Sequence, residues 1–164
     1  MGDDAVFSPV PGGGIEVHLH DSIRGLLGRL CDQLEQLLQR EHPASDPAMA
    51  RLFPAAYPDD PLRELEFERM TADDLTRGRL ASLRTVRASL QTETLDEAQS
   101  LAWLGTLNDM RLVLGSRLDV KEESTAADFT SEDDAGTFEI YQLLGGLQGQ
   151  LLFALDPAIE EPEV

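Results

Sequence analysis

Leu101-Ala102-Trp103-Leu104-Gly105-Thr106-Leu107-Asn108-Asp109-Met110-Arg111-Leu112-Val113-Leu114-Gly115 shows no clean polar face when it is wound on a helix. Leu101, Leu104, Leu107 and Leu112 share one side, and Trp103, Met110, Val113 and Leu114 cover much of the rest. A helix that is apolar nearly all round belongs at the centre of a fold, so the segment predicts the core helix of a bundle. Thr94-Leu95-Asp96-Glu97 reads as its opening cap and Gly115 as its C-terminal cap, which places the helix at about 95–114.

On the N-terminal side, Thr71-Ala72-Asp73-Asp74 resembles a capping box and predicts a helix over about 72–91, with Leu75, Leu83, Val86 and Leu90 on its buried side. A short helix over about 62–70 precedes it, after a stretch that Pro47, Pro54, Pro58 and Pro61 break into pieces. Further upstream, Asp21-Ser22 offers an N-cap. Ile23, Leu26, Leu27, Leu30, Leu34, Leu37 and Leu38 then form one stripe, predicting an amphipathic helix over about 23–41 that His42-Pro43 stops.

On the C-terminal side, Ser131-Glu132-Asp133-Asp134 caps a last helix with Ile140, Leu143, Leu144, Leu147, Leu151 and Leu155 as its buried stripe, ended by Asp156-Pro157. At the N-terminus, Ile15, Val17 and Leu19 alternate with Glu16, His18 and His20 and face Val6-Phe7 across a Pro/Gly turn, which reads as a β-hairpin within 1–20. The expected fold is mainly α, a helical bundle of four main helices with a small N-terminal β-hairpin. The expected organisation is a single domain over 1–155, containing a flexible acidic link at 116–131, and an acidic tail at 156–164.

The 164 residues suffice for one core. Thirty-one acidic residues stand against 13 basic ones, a net charge of −18. Such a field repels a phosphate backbone, so DNA is expected to be reached only indirectly, through a partner. From Leu118 onward twelve acidic residues face only Lys121, and the runs at 121–134 and 156–164 read either as solvated link and tail or as a surface for a basic partner. Cys31 is the only cysteine, which excludes an internal disulfide and suits a reducing cytoplasm. Neither a secretion leader nor a membrane-spanning stretch is legible.

Residues suited to chemistry are few. Arg79, Asn108 and Arg111 fall inside apolar arcs, and a guanidinium there needs a carboxylate or several carbonyls to offset its desolvation. Arg87 flanks the arc while Arg77 and Arg84 point outward. A polar cluster of Arg79, Asn108, Asp109 and Arg111 is therefore expected between the two central helices, with Asp109, Glu64, Glu66 and Glu68 as the candidate acids. It reads as an ion-pair network that holds helix register, or as a pocket for a small anion. Nothing near it supplies a nucleophile and a base, so no catalytic residue, cofactor or metal is assigned and an enzyme is not expected. His18 and His20 beside Glu16 lack a third strong metal ligand. Cys31 sits at the edge of an apolar stripe and is a core residue sooner than a redox sensor. Gly145, Gly146 and Gly149 suggest close backbone approach, within the chain or at the seam of a homodimer. Phe138, Leu152 and Phe153 fall off the last helix's stripe and, with Glu132, Asp133 and Asp134, make up the candidate partner surface.

Phe53-Pro54-x-Ala56-Tyr57-x-Asp59-Asp60, Glu66-Phe67, Arg79-Leu80-x-x-Leu83 and Trp103-Leu104-x-x-Leu107-Asn108-Asp109-x-Arg111-Leu112-x-Leu114-Gly115, with Tyr141 and Leu147-Gln148, resemble an actinobacterial family catalogued as domain of unknown function 2017. The resemblance implies an oxidative-stress transcriptional regulator that works with an alternative sigma factor on genes of sulfur-carrier-dependent cysteine synthesis. It also implies genetic neighbours that include a Clp protease adaptor and a metalloprotease acting on the sulfur carrier. Two expectations follow: a regulator acting by protein contact, or an adaptor or scaffold in Clp proteolysis or sulfur-carrier processing. Cys31 departs from a disulfide-switch mechanism because it has no partner in the chain.

Overall fold

A computed structural model describes residues 5–40, 45–53 and 55–156. Strand β1 (Phe7–Pro9) pairs antiparallel with β2 (Ile15–Val17), with Phe7 opposite Val17. The turn between them runs through Gly12, Gly13 and Gly14, all at positive φ. A Cβ on Gly14 would stand 3.1 Å from the Leu95 carbonyl, so that glycine also admits a neighbour. The neighbour is a third strand absent from the sequence reading: β3 (Thr94–Leu95) pairs antiparallel with β2 and turns the hairpin into a three-stranded sheet. The cap expected to begin at Thr94 lies two residues later. Asp96 accepts from the Gln99 amide at 2.7 Å, and Gln99 Oε1 accepts from the Asp96 amide at 2.9 Å.

Helix α1 (Asp21–Leu38) buries Leu27, Leu30, Leu34, Leu37 and Leu38 as the stripe predicts. Its N-cap is His20, whose Nδ1 lies 3.5 Å from the Ser22 amide, instead of Asp21-Ser22. A short 3-10 helix, Pro47–Leu52, then places Met49 and Leu52 in the core.

The two helices expected at 62–70 and 72–91 are one, α2 (Pro61–Ser89). Thr71 does not cap a new helix; its hydroxyl donates to the Phe67 carbonyl at 2.7 Å, one turn back, and the backbone runs on. At 1.5 Å per residue the helix is about 43 Å long. Its buried residues, Leu83, Val86 and Ser89, all lie in its last third, so the first two thirds project from the body.

Helix α3 (Glu97–Leu118) is central as expected, packed on α2, on the 3-10 turn and on α4 (Glu132–Leu155). Trp103 is fully buried, donating to Ser89 Oγ at 2.8 Å and meeting Phe7 edge-on at 6.3 Å. The helix does not stop at Gly115. Asp119 at φ 53 ends it, with the Val120 amide donating to the Gly115 carbonyl at 2.9 Å. Residues 116–131, expected as a flexible link, begin with the end of α3 and include a 3-10 turn, Ala126–Asp128. The acidic tail lies outside the described residues beyond Asp156. The fold is mainly α with a small antiparallel sheet at its N-terminal end. No helix among the described residues is long and apolar enough to cross a membrane.

Candidate functional site

The expected polar cluster exists but is divided. Arg79 enters from α2 at the point where that helix meets the body, and its Nη1 donates to the Asp109 carboxylate on α3. Its Nη2 donates at 2.8 Å to the Leu52 carbonyl, which closes the 3-10 turn onto both helices. Asp109 is buried, and burial pushes its carboxyl above the ordinary carboxylate range; the hydrogen bond and charge of Arg79 pull it part of the way back. Glu64, Glu66 and Glu68 take no part, because they ride on the projecting portion of α2. Glu64 instead accepts from the Tyr57 amide at 2.7 Å.

Arg111 departs from expectation. It meets no carboxylate among the described residues, and its guanidinium lies over the Tyr141 ring of α4, 5.1 Å from the centroid. Because α3 and α4 run antiparallel, they stack three successive layers: Asn108 with Gln148, Arg111 with Gly145, and Gly115 with Tyr141. Gln148 donates to Asn108 at 3.2 Å. A Cβ on Gly145 would stand 3.3 Å from Arg111 Nε, and one on Gly115 would stand 3.1 Å from the Tyr141 ring. The two glycines thus seat one guanidinium and one aromatic ring, the close approach read from Gly145. A Cβ on Gly146 meets nothing, so that glycine has no such role.

The most buried guanidinium was missed by sequence reasoning. Arg24 of α1 is 8% exposed and meets no carboxylate among the described residues. It donates to the carbonyls of Leu19 at 3.2 Å, Val17 at 3.4 Å, Thr92 at 3.2 Å and Leu90. Two of these carbonyls lie beyond the last turn of α2, Leu90 as its C-cap and Thr92 in the segment leading into β3, and at the helix end partial negative charge gathers and a cation is stabilised. The signal was its spacing: Arg24 occupies the same stripe as Leu27, Cys31, Leu34 and Leu38.

The candidate partner surface does not hold together as one patch. Glu132, Asp133 and Asp134 are exposed on the first turn of α4. Leu152 is exposed and Phe153 partly so, but they lie some 30 Å away along the helix axis by rise per residue. Phe138 is a correction. It is 4% exposed, stacked on Phe129 at 4.6 Å and on Tyr141 at 5.9 Å, so it belongs to the interior. Cys31 is wholly buried, and burial pushes its thiol up to about 11, which lowers the fraction of thiolate at neutral pH. His18 lies 3.6 Å from Glu16 at the surface, and no group of three metal-ligating side chains forms among the described residues.

A mainly helical body, with a central helix clasped by an Arg79–Asp109 pair and a strand-stitched N-terminus, defines the class of domain. The family model described as Domain of unknown function (DUF2017) matches residues 5–155, and the chain belongs to that family. A Mycobacterium leprae protein carrying the provisional name oxidative stress regulator AosR is 28% identical over 127 residues, covering 67% of this chain and 58% of that protein. The chain therefore spans 58% of the length of that relative. No solved structure matches the chain.

Proposed function

We propose that this chain is a non-enzymatic regulatory protein that acts by protein contact, as a transcriptional regulator of oxidative-stress and cysteine-synthesis genes working with an alternative sigma factor. The observation that carries the reading is the display of Glu132, Asp133 and Asp134. Ser131 Oγ accepts from the Asp134 amide at 3.1 Å, so the three exposed carboxylates form the capped first turn of a rigid helix. Acidic side chains there complement the helix dipole, and held outward on a fixed frame they steer a basic partner. The net charge of −18 supports access to promoters through such a partner instead of by direct contact with DNA. The name of the mycobacterial relative supports the regulatory setting.

The test is surface plasmon resonance against alternative sigma factors of the same cell at two salt concentrations. Substituting Glu132→Gln, Asp133→Asn and Asp134→Asn together should slow association about tenfold at low salt and much less at high salt, leaving dissociation unchanged. An association rate indifferent to salt and to the substitutions overturns the reading, as does capture of a Clp component in place of any sigma factor. Sequence-specific binding of DNA by the purified chain at nanomolar concentration overturns it equally.

A further inference from the structure

Large apolar side chains exposed to water are concentrated in one place. Of the seven among the described residues, Tyr57, Leu62, Leu65, Met70 and Leu75 fall within nineteen consecutive positions, and Leu62 and Met70 are each 77% exposed. All belong to the projecting part of α2 or to the segment that folds back on it. The pattern continues that of the core. Leu65, Ala72 and Leu75 extend, at spacings of seven, three and four residues, the stripe formed by Arg79, Leu83 and Val86. The helix thus carries a core-type face beyond the end of the core.

The projection is braced. Tyr57 meets Phe67 edge-on at 6.1 Å, Arg63 lies over the Tyr57 ring at 5.8 Å, and the Arg79–Asp109 pair anchors the base. A surface already ordered in this way spends little free energy on ordering when a partner docks.

Charge decides what covers it. Residues 57–75 hold seven acidic side chains against Arg63 and Arg69. One of them, Glu68, occupies the stripe itself, between Leu65 and Ala72, exposed and without an ion pair among the described residues. A second copy would set acid against acid. The chain's own residues 157–164 carry Glu160, Glu161 and Glu163 and no base, so they are repelled as well. We infer that the projecting face of α2 docks a basic amphipathic helix of a partner protein, with leucine-type side chains on Leu65 and Leu75 and a cation at Glu68. The inference rests on the protein-contact reading above but assigns it a different surface from the first turn of α4.

The experiment uses the full chain and a fluorescent 18-residue helical peptide of leucine and lysine in amphipathic spacing. Controls are a scrambled peptide and a leucine–glutamate counterpart, read by anisotropy. The chain should bind the lysine peptide and neither control. Leu65→Ser with Leu75→Ser should weaken binding about 30-fold, and Glu68→Lys about tenfold while admitting the glutamate peptide. These residues are exposed, so circular dichroism should show the fold unchanged. The triple substitution at Glu132, Asp133 and Asp134 should leave peptide affinity intact. Equal binding of the scrambled peptide, or affinity unmoved by the α2 substitutions, overturns the inference and leaves contact through α4 standing. Absence of binding does the same. A homodimer that those substitutions dissolve, seen by light scattering, overturns it in favour of self-association.

Discussion

Arg79 of α2 and Asp109 of α3 form an ion pair that joins the two helices where the projecting part of α2 meets the body, and the same guanidinium holds the Leu52 carbonyl. Three elements converge on a single side chain. The carboxylate is the more buried partner, so the stability of the joint depends on its compensation.

Arg79→Ala should therefore cost roughly 3 kcal/mol, because it strands a buried charge, whereas Asp109→Asn should cost less, since the guanidinium it leaves behind is the more exposed partner and keeps the Leu52 carbonyl. The folded state raises the Asp109 carboxyl, and removing Arg79 raises it further. A group raised on folding binds its proton more tightly in the folded state, so stability attributable to it is gained as pH falls through the folded pKa. The Arg79→Ala deficit should accordingly shrink between neutral pH and mildly acidic pH. Urea midpoints of both variants across that range check this; a pH-independent deficit would show that Asp109 stays solvated.

Arg24 makes a sharper demand. Its four carbonyl acceptors come from the end of β2 and the residues after it, from the segment leading into β3 and from the end of α2. Arg24→Met keeps the apolar stem and orphans those carbonyls, which should cost about 3 kcal/mol. Arg24→Lys should recover only a small part, because an ammonium lacks the fork that reaches several acceptors. Hydrogen exchange should show β3 and the last turn of α2 opening first in both variants. Restoration to parental stability by lysine would sink the argument.

Cys31 should be inert in the native protein. A thiol raised from 9.0 to about 11 holds about 100-fold less thiolate at neutral pH, before its complete burial is counted. Modification by a disulfide reagent should thus be at least about 100-fold slower in buffer than in guanidinium. Matching rates in the two conditions would mean that the helix opens readily around the thiol.

The paired glycines of α4 should respond with different magnitudes. Gly146→Ala adds a methyl group in open space and should stabilise by up to about 1 kcal/mol through helix propensity. Gly145→Ala obtains the same propensity but pushes on the Arg111 guanidinium, displacing it from Tyr141, and should fall short of its neighbour by about 0.5 kcal/mol or more. Thermal melts of the two variants side by side decide the point; identical shifts would mean that the guanidinium moves aside at no cost.

Much of this molecule is legible locally. The central helix declares itself through apolar residues on every side, and the stripes of α1 and α4 give their extents to within a few residues because side-chain spacing and helical pitch are linked directly. Where local signals compete, the reading fails. Thr71 has the chemistry of a cap, yet its hydroxyl is satisfied one turn back and α2 continues. Gly115 has the chemistry of a helix end, yet it sits inside α3 because Tyr141 needs its missing Cβ.

Sequence alone thus determined the helical class, the acidic surface, the burial of Cys31 and the need of Arg79 for a compensating partner, since each follows from period, composition or a single strong electrostatic demand. Only the tertiary structure decided that Arg111 takes an aromatic face instead of a carboxylate, that Arg24 collects four carbonyls, that Thr94–Leu95 becomes a strand, and that α2 projects with its apolar face uncovered. Those outcomes turn on which surfaces meet across long separations in sequence. A residue's own spacing says that it must be satisfied, and only the packing of distant elements says by what.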